Sequence, residues 1–396
     1  MRILDRHRSG ELVSIGTLIR QTEDRKEVIM LAQAIAKKSI SCKVCLGLTA
    51  VLIGVAVCAF AGTGLIDGWL VRKDHQQLNS AAGITQEDLL AGAQREGKLV
   101  WHANPMLFND MVIAEFQKRY PAIKVAKAYL GGSQLIQRFE AEKERGSEIV
   151  DCLTSGLVEA YPDLRNKGYL ARLDNLPNWE QRPGWSKDPK GHYFYYSSFK
   201  YGIAYNTEQV PEKEAPASFA ELATPKWKGK IVIYDLTAGV GISLYRYFAQ
   251  QPGLGFEWLR RLRENQPFFA TTSGQMDEMV GNGMRSLSIA RDTQAKEARK
   301  KGAPVAFRQA KEGFFLNLQP VAINKKAPHP YAARLFLNWL MSDEAQERFS
   351  KEEVGLPQKG GKDSLEAAGG WTLDAETVTP QQTKEFMKRL TAWKGG

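Results

Sequence analysis

The sequence predicts an α/β protein built as two lobes around a cleft, and three features of the chain carry that expectation. From residue 98, short apolar runs of strand character alternate with stretches of helical spacing. The alternation breaks at a tyrosine-rich extended run and restarts beyond 211–216. A second extended run at 318–324 then leads into an amphipathic helix. Strand–helix–strand order gives a mostly parallel sheet with helices on both faces, and two such series joined by two extended crossings give two lobes. No internal repeat is visible.

The first 61 residues read as an address rather than as fold. Residues 44–66 are 23 consecutive uncharged positions, enough to cross a bilayer. Lys37, Lys38 and Lys43 precede them, on the side that the positive-inside bias requires. Ala59-Phe60-Ala61 sets small residues at the two positions a signal peptidase reads. The segment is therefore an export signal cleaved near Ala61 or an uncleaved inner-membrane anchor facing the periplasm, and the small residues favour cleavage. A start at Met30 in place of Met1 would give the signal an ordinary length. Cys58 follows Val57 rather than the small residue that precedes a lipidated cysteine. Cys42 and Cys45 have CxxC spacing but no second pair and no βαβ context, so they read as part of the signal region.

The remaining elements follow in order. Within 62–96 the chain is small, polar and helix-prone, with Thr85 a suitable N-cap ahead of Asp88. Residues 98–101 form a strand, a helix capped by Asn109 or Asp110 runs to Arg119, and 123–126 form a second strand. Gly131-Gly132-Ser133 opens a helix reaching Arg145. A third strand spans 148–153, and a helix over 161–167 stops at Gly168. A loop rich in Pro, Gly and Trp over 176–190 precedes Tyr193-Phe194-Tyr195-Tyr196 and the extended run 200–206. The second series has strands at 231–234, 286–290 and 305–307, with a helix from Ser243. The last helix places Ala332, Leu335, Phe336, Trp339 and Leu340 on one buried face. The expected organisation is an extension over 1–43, a signal or anchor over 44–61 and a linker with one helix over 62–96. Lobe 1 is then 97–199 plus 318–356, and lobe 2 is 200–317 plus 357–396.

Composition and motifs exclude several functions. The formal charge is +10, from 54 basic and 44 acidic residues, of which nine and five fall within 1–61. That leaves +6 over the other 335 residues with no long run of one sign, which argues against a nucleic-acid partner. No G-x-S-x-G elbow, H-E-x-x-H helix, Walker loop or kinase signature occurs. The five histidines (7, 75, 102, 192 and 329) never take metal-ligand spacing. Gly239-Val240-Gly241 starts like a dinucleotide fingerprint, but the third glycine position is Leu244. Cys152, alone after the signal and flanked by Val150 and Leu153, reads as a buried, inert thiol. Neither enzyme chemistry nor a cofactor is expected.

Binding is what the strand ends suggest. Ligands of such sheets lie at the carboxyl ends of the strands, and small residues opening a helix leave backbone N–H groups free for an anion. Gly131-Gly132-Ser133, Thr154-Ser155-Gly156 and Thr237-Ala238-Gly239 are three such turns; each alone also reads as a plain capping turn. His102 and Asn104 follow the first strand, and Arg291-Asp292 follows the strand at 286–290, so these residues are expected in the cleft. The bland readings are a solvated histidine and an Arg–Asp surface pair.

At this point the chain resembles a known family over about residues 97–350. Lys98-Leu99-Val100-Trp101, with Phe116 and Pro121-Ala122-Ile123-Lys124-Val125, looks like the opening strand, helix and strand of the periplasmic solute-binding proteins of ABC importers. The group is extracellular solute-binding family 1, which includes the ferric-iron binders. Tyr201-Gly202-Ile203-Ala204-Tyr205-Asn206-Thr207 and Pro225-Lys226-Trp227-Lys228-Gly229-Lys230 are similar to its first hinge crossing and the segment beyond. Ala327-Pro328-His329-Pro330-Tyr331, with Phe336 and Leu340-Met341-Ser342, resembles the helix after the return crossing. The resemblance implies a type II two-lobed binding-protein fold, with mixed sheets flanked by helices and two hinge crossings, which closes on its ligand and is then read by an inner-membrane permease. Such proteins usually act as monomers.

The resemblance breaks at one informative place. Ferric members carry a tyrosine pair after the strand matching 286–290, whereas this chain has Arg291-Asp292-Thr293. A fixed guanidinium repels a hard trivalent cation and suits a carboxylate or phosphate. The expected ligand is therefore a small organic anion: a carboxylate, phosphate ester or phosphonate. Arg291 would clamp it, with His102, Asn104, Gly132, Ser133, Ser155, Thr237, Ala238 and Asp292 around it. Trp101, Met106 and Phe108 would offer apolar surface. Ferric iron held by Tyr193, Tyr195 and Tyr196 is the second reading, and a membrane-anchored sensor the third.

Overall fold

The computed structural model describes residue 78 and residues 83–236, 238, 240–356 and 369–395. The segment 44–66 and the expected cleavage at Ala61 lie outside the described residues, among which no helix is long and apolar enough to cross a membrane.

The first described helix, α1 (Gln86–Glu96), starts where capping chemistry puts it: the Thr85 hydroxyl accepts from the Asp88 N–H at 3.1 Å. Three parallel strands follow, β1 (Lys98–Ala103) lying between β2 (Lys124–Tyr129) and β3 (Cys152–Thr154). They alternate with α2 (Leu107–Arg119), α3 (Gly132–Glu144) and α4 (Tyr161–Asn166). Two local expectations change here. Neither Asn109 nor Asp110 caps α2; Met106 is at its N-cap, and the Asn109 amide turns back to the Asn104 carbonyl at 2.7 Å. β3 begins at Cys152 rather than at 148. Just before it, the Asp151 carboxylate is committed, accepting from the Val100 N–H at 2.6 Å and the His329 N–H at 2.7 Å.

The chain then runs through the long β4 (Tyr193–Asn206) and the single turn α5 (Phe219–Leu222) into a second parallel set. β5 (Ile231–Tyr234) pairs in parallel with β6 (Phe268–Ala270) and β7 (Leu287–Arg291). Around them lie α6 (Gly241–Gln250), α7 (Gly255–Glu264), α8 (Ser273–Gly281) and α9 (Asp292–Lys300). β8 (Val305–Arg308) adds to β4, and β9 (Phe314–Ile323) returns the chain to the first set. After α10 (Pro330–Leu340) and α11 (Asp343–Lys351), the described residues resume with β10 (Gly370–Trp371) beside β9 and end in α12 (Pro380–Gly395).

The strand order β2-β1-β3-β9-β4-β7-β5-β6 shows how the lobes are joined. β9 lies antiparallel to β3, β4 antiparallel to β7, and the two long strands antiparallel to each other from Tyr193 to Tyr201. The two parallel sets are thus continuous through the crossings, in one mixed, curled sheet rather than two separate ones. The register shifts between Tyr195 and Ser197, a bulge that changes which side chains face the cleft beyond it.

Aromatic packing fixes this frame. Trp101 on β1 meets Phe336 on α10 at 5.2 Å, and Phe336 meets Phe116 on α2 at 4.9 Å, both edge-on. The sequence assigns α10 one apolar face, but all eleven of its residues are buried, because α1 covers its other side. That approach requires Gly92: a Cβ there would stand 2.2 Å from the Tyr331 ring. Cys152 is fully buried, and burial pushes its thiol well up, as an inert structural cysteine requires.

Candidate functional site

Side chains alternate along a strand, so directly opposed residues and those two apart share a face. The register pairs Ser197 with Gln319, Phe199 with Asn317 and Tyr201 with Phe315. One face of the crossing therefore carries Ser197, Phe199 and Tyr201 from β4 and Phe315, Asn317 and Gln319 from β9. At its lobe 1 end Gly156, just past β3, comes very close. A Cβ there would stand 2.9 Å from Asn317 Oδ1, 3.3 Å from Gln319 Nε2 and 3.5 Å from Asn104 Nδ2. Three amide side chains, two from β9 and one from the segment after β1, thus converge on one glycine. Asn317 Nδ2 donates to the Gly156 carbonyl at 3.2 Å, and Gln319 Nε2 donates to Asn317 Oδ1 at 2.5 Å. The oxygens Asn104 Oδ1 and Gln319 Oε1 are buried without a hydrogen-bond partner.

Arg291 ends β7 on the lobe 2 side of this face. Its guanidinium carbon sits 4.9 Å from the centre of the Phe199 ring. Arg291 Nε reaches Gln294 Oε1 and Nη2 reaches Ser273 Oγ, each at 3.4 Å. The Tyr234 hydroxyl lies 3.0 Å from the same Ser273 oxygen and donates to Gln294 Oε1 at 3.3 Å. Burial raises the Tyr234 and Tyr201 phenols, so both stay neutral beside the cation. The hydrogen-bond partners that hold Arg291 are thus neutral as well as long. Asp277 stands further back against Gln294, with its carboxyl pushed up to about 6, chiefly by burial. Asp292 opens α9 and accepts from the Thr293 N–H at 2.7 Å; burial raises its carboxyl too.

Two cavities lie between the lobes, one of them against the crossing. One of about 230 Å³ is lined by Met106 and Phe108 from lobe 1, Phe199 from the crossing, and Arg291, Thr293, Gln294 and Glu297 from lobe 2, with Glu352, paired to Arg348, at its edge. The other, of about 500 Å³, lies between Ser133 and Leu157 on one side and Asp235 and Leu236 on the other, with Met387 and Lys394 of α12 closing it. Lys394 pairs there with Asp235. Nearby, the Ser243 hydroxyl of α6 donates across to the buried Glu159 carboxylate at 3.1 Å.

The residues named from sequence are thus distributed. Asn104 and Arg291 reach the crossing, and Ser133 lines the larger cavity. Ser155 and Gly132 meet each other: the Ser155 hydroxyl reaches the Gly132 carbonyl at 3.4 Å and accepts from the Leu157 N–H at 3.2 Å. Ala238 is buried in a turn closed by its N–H to the Asp235 carbonyl, and Thr237 lies outside the described residues. His102 is only 2% exposed and is opposed by Leu153 on β3, under α3, where the charges of Glu142 and Arg138 act on it. Burial lowers its pKa, so it is neutral. Of the apolar residues, Met106 and Phe108 line the smaller cavity, while Trp101 is sealed in the core with its indole N–H on Thr154 Oγ1. Ser197, Asn317 and Gln319 were not anticipated. The signal for two of them is present: two amides two positions apart in an otherwise apolar strand.

Two α/β lobes whose strand ends face each other over a polar crossing define a binding protein that closes on a solute. Comparison with known proteins agrees. The sequence profile of the bacterial extracellular solute-binding protein family matches residues 147–368. Similar solved structures include the substrate-binding protein of an ABC transporter from Agrobacterium tumefaciens, at 18% identity and TM-score 0.67, covering 76% of this chain and 97% of that one. The periplasmic binding protein AfuA of Actinobacillus pleuropneumoniae, solved with fructose-6-phosphate, is 21% identical at TM-score 0.65, covering 76% and 99%. Iron-bound HitA of Pseudomonas aeruginosa is 19% identical at TM-score 0.60, covering 75% and 98%. The chain belongs to the bacterial extracellular solute-binding proteins. These are binding components of ABC transporters rather than enzymes, and they act outside the cytoplasm.

Proposed function

We propose that the protein captures a small organic anion (a carboxylate, phosphate ester or phosphonate) between its lobes and delivers it to an ABC permease in the inner membrane. It does so as a periplasmic monomer released by cleavage near Ala61. One observation carries the choice of ligand: Arg291, a cation hydrogen-bonded only weakly to neutral groups, stands at a strand end beside Phe199 and a cavity lined from both lobes. Such a guanidinium suits bidentate recognition of a carboxylate or phosphate. The AfuA structure, which carries a phosphate ester, makes the same ligand class reasonable on this fold.

Ferric iron has less support. The tyrosines near the crossing are already used: Tyr193 donates to Glu376 at 2.9 Å and Tyr196 to Asn109 at 3.0 Å, while Tyr195 is buried and hydrogen-bonded to Tyr193. The test is native mass spectrometry of protein from a periplasmic extract, with metal analysis of the same sample. The expected result is a bound organic anion, a chain beginning at Gly62, and affinity about 10- to 100-fold weaker in Arg291→Ala. Stoichiometric iron, or an affinity in that variant within about twofold of the wild type, overturns the ligand reading. A chain still carrying residues 44–61 favours the anchored sensor.

A further inference from the structure

We propose that the crossing holds a neutral subsite beside Arg291 that reads hydroxyl groups, which makes the ligand a polyhydroxylated anion of the sugar-phosphate or sugar-acid class. This rests on the reading of the cleft as an anion site. The amides at Gly156 form a directed row. The Gly156 carbonyl accepts from Asn317 Nδ2, Asn317 Oδ1 accepts from Gln319 Nε2, and the row ends in Gln319 Oε1 with no donor. Gln319 is 1% exposed, so that oxygen is shielded from bulk water. Asn104 Oδ1, on a different segment at the same glycine, is a second buried acceptor without a donor. Buried carbonyl oxygens are seldom left unpaired, and a pair of them at a binding cleft calls for donors from the ligand.

The chemistry of the donors follows from what surrounds the pair. The three side-chain atoms nearest Gly156 all belong to neutral amides, which match the neutral O–H of a polyol; an ammonium group calls for a carboxylate. The anion and hydroxyl subsites are one same-face register pair apart, because Phe199, which carries the guanidinium of Arg291 on its ring, opposes Asn317, and Gln319 opposes Ser197 two residues along. A ligand spanning both needs an anionic end and hydroxyls a few bonds away.

The test compares matched ligands on the wild-type protein by calorimetry: glucose 6-phosphate with hexyl phosphate, glycerol 3-phosphate with propyl phosphate, and gluconate with hexanoate. The hydroxylated member of the pair that fits is expected to bind on the order of 100-fold tighter, since the analogue leaves both acceptors unpaired. Gln319→Met and Asn104→Leu should each reduce that preference while sparing the unhydroxylated member, whereas Arg291→Ala should weaken both members alike. Pairs whose two members bind within about threefold of each other refute the hydroxyl subsite and leave the anion reading intact. Binding of none of the six refutes the anion reading and this inference with it.

Discussion

Gly156 shows how one atom's absence organises the cleft. Its conformation is one any residue adopts, so Gly156→Ala introduces no backbone strain. The added methyl meets side-chain amides, with Asn317 Oδ1 nearest at 2.9 Å, and a side-chain end gives way more easily than backbone. We expect a melting temperature close to wild type and an affinity for the hydroxylated anion at least about tenfold weaker, because the amide row loses its geometry. A large loss of stability in a thermal melt, with affinity intact in the folded fraction, would assign Gly156 to folding instead. Strand-end logic placed Asn104 and Arg291 at the crossing because their positions follow from local sequence. It could not find the register that sets Ser197 against Gln319, since the bulge after Tyr195 belongs to the pairing of two strands. His102 shows the same limit: Leu153 beside it and α3 above it, not its own segment, decide where it faces.

At the level of elements, α1 is tied to α10 by chemistry that depends on pH. Glu96 accepts from the N–H groups of Ala332 at 2.7 Å and Tyr331 at 3.1 Å, capping a helix start. Burial dominates these bonds, and its carboxyl is pushed up to about 7 from 4.5. A carboxyl raised on folding binds its proton more tightly in the native state, so stability falls as pH rises from the unfolded to the folded value. Facing it are His329, raised chiefly by its hydrogen bond to Asp151, and Arg334, lowered by burial. Comparison with Glu96→Gln isolates one carboxyl from these partners. The two proteins should melt alike near pH 4.5, and the variant should be the more stable at pH 8. An offset that does not change with pH would mean that capping, not ionisation, governs the position. On the other side of α10, Phe336→Ala should cost about 3–5 kcal/mol in denaturant unfolding, the usual result of emptying a buried aromatic site. The apolar face of α10 was legible from spacing alone. Its complete burial was not, because that depends on α1 reaching it through Gly92.

Across the whole molecule, the sequence shows two extended crossings, and the structure adds a third connection near the C-terminus. The turn at Ala375–Thr377 is fastened to lobe 1: Arg165 donates to Glu376 at 2.7 and 3.1 Å, and Tyr193 donates to Glu376 at 2.9 Å. Beyond it, the far end of α12 is fastened to lobe 2, where Trp393 donates to the Leu259 carbonyl at 2.7 Å and Arg263 to the Lys394 carbonyl at 3.2 Å. None of this is readable from periodicity, because the partners lie far away in the chain. We predict that this strap, anchored on both sides of a hinge at β4 and β9, sets how far the lobes open. Glu376→Ala frees the lobe 1 anchor while Arg165 keeps Asp188 at 2.6 Å, so the core around it survives. The ligand-free protein should then show a larger radius of gyration by small-angle scattering, with the ligand-bound radius unchanged. A more open resting state also makes closure less favourable, so the apparent affinity should weaken with no contact to the ligand altered. An unchanged ligand-free radius would mean that the two β crossings alone limit the motion, and that the turn and α12 are packing rather than restraint.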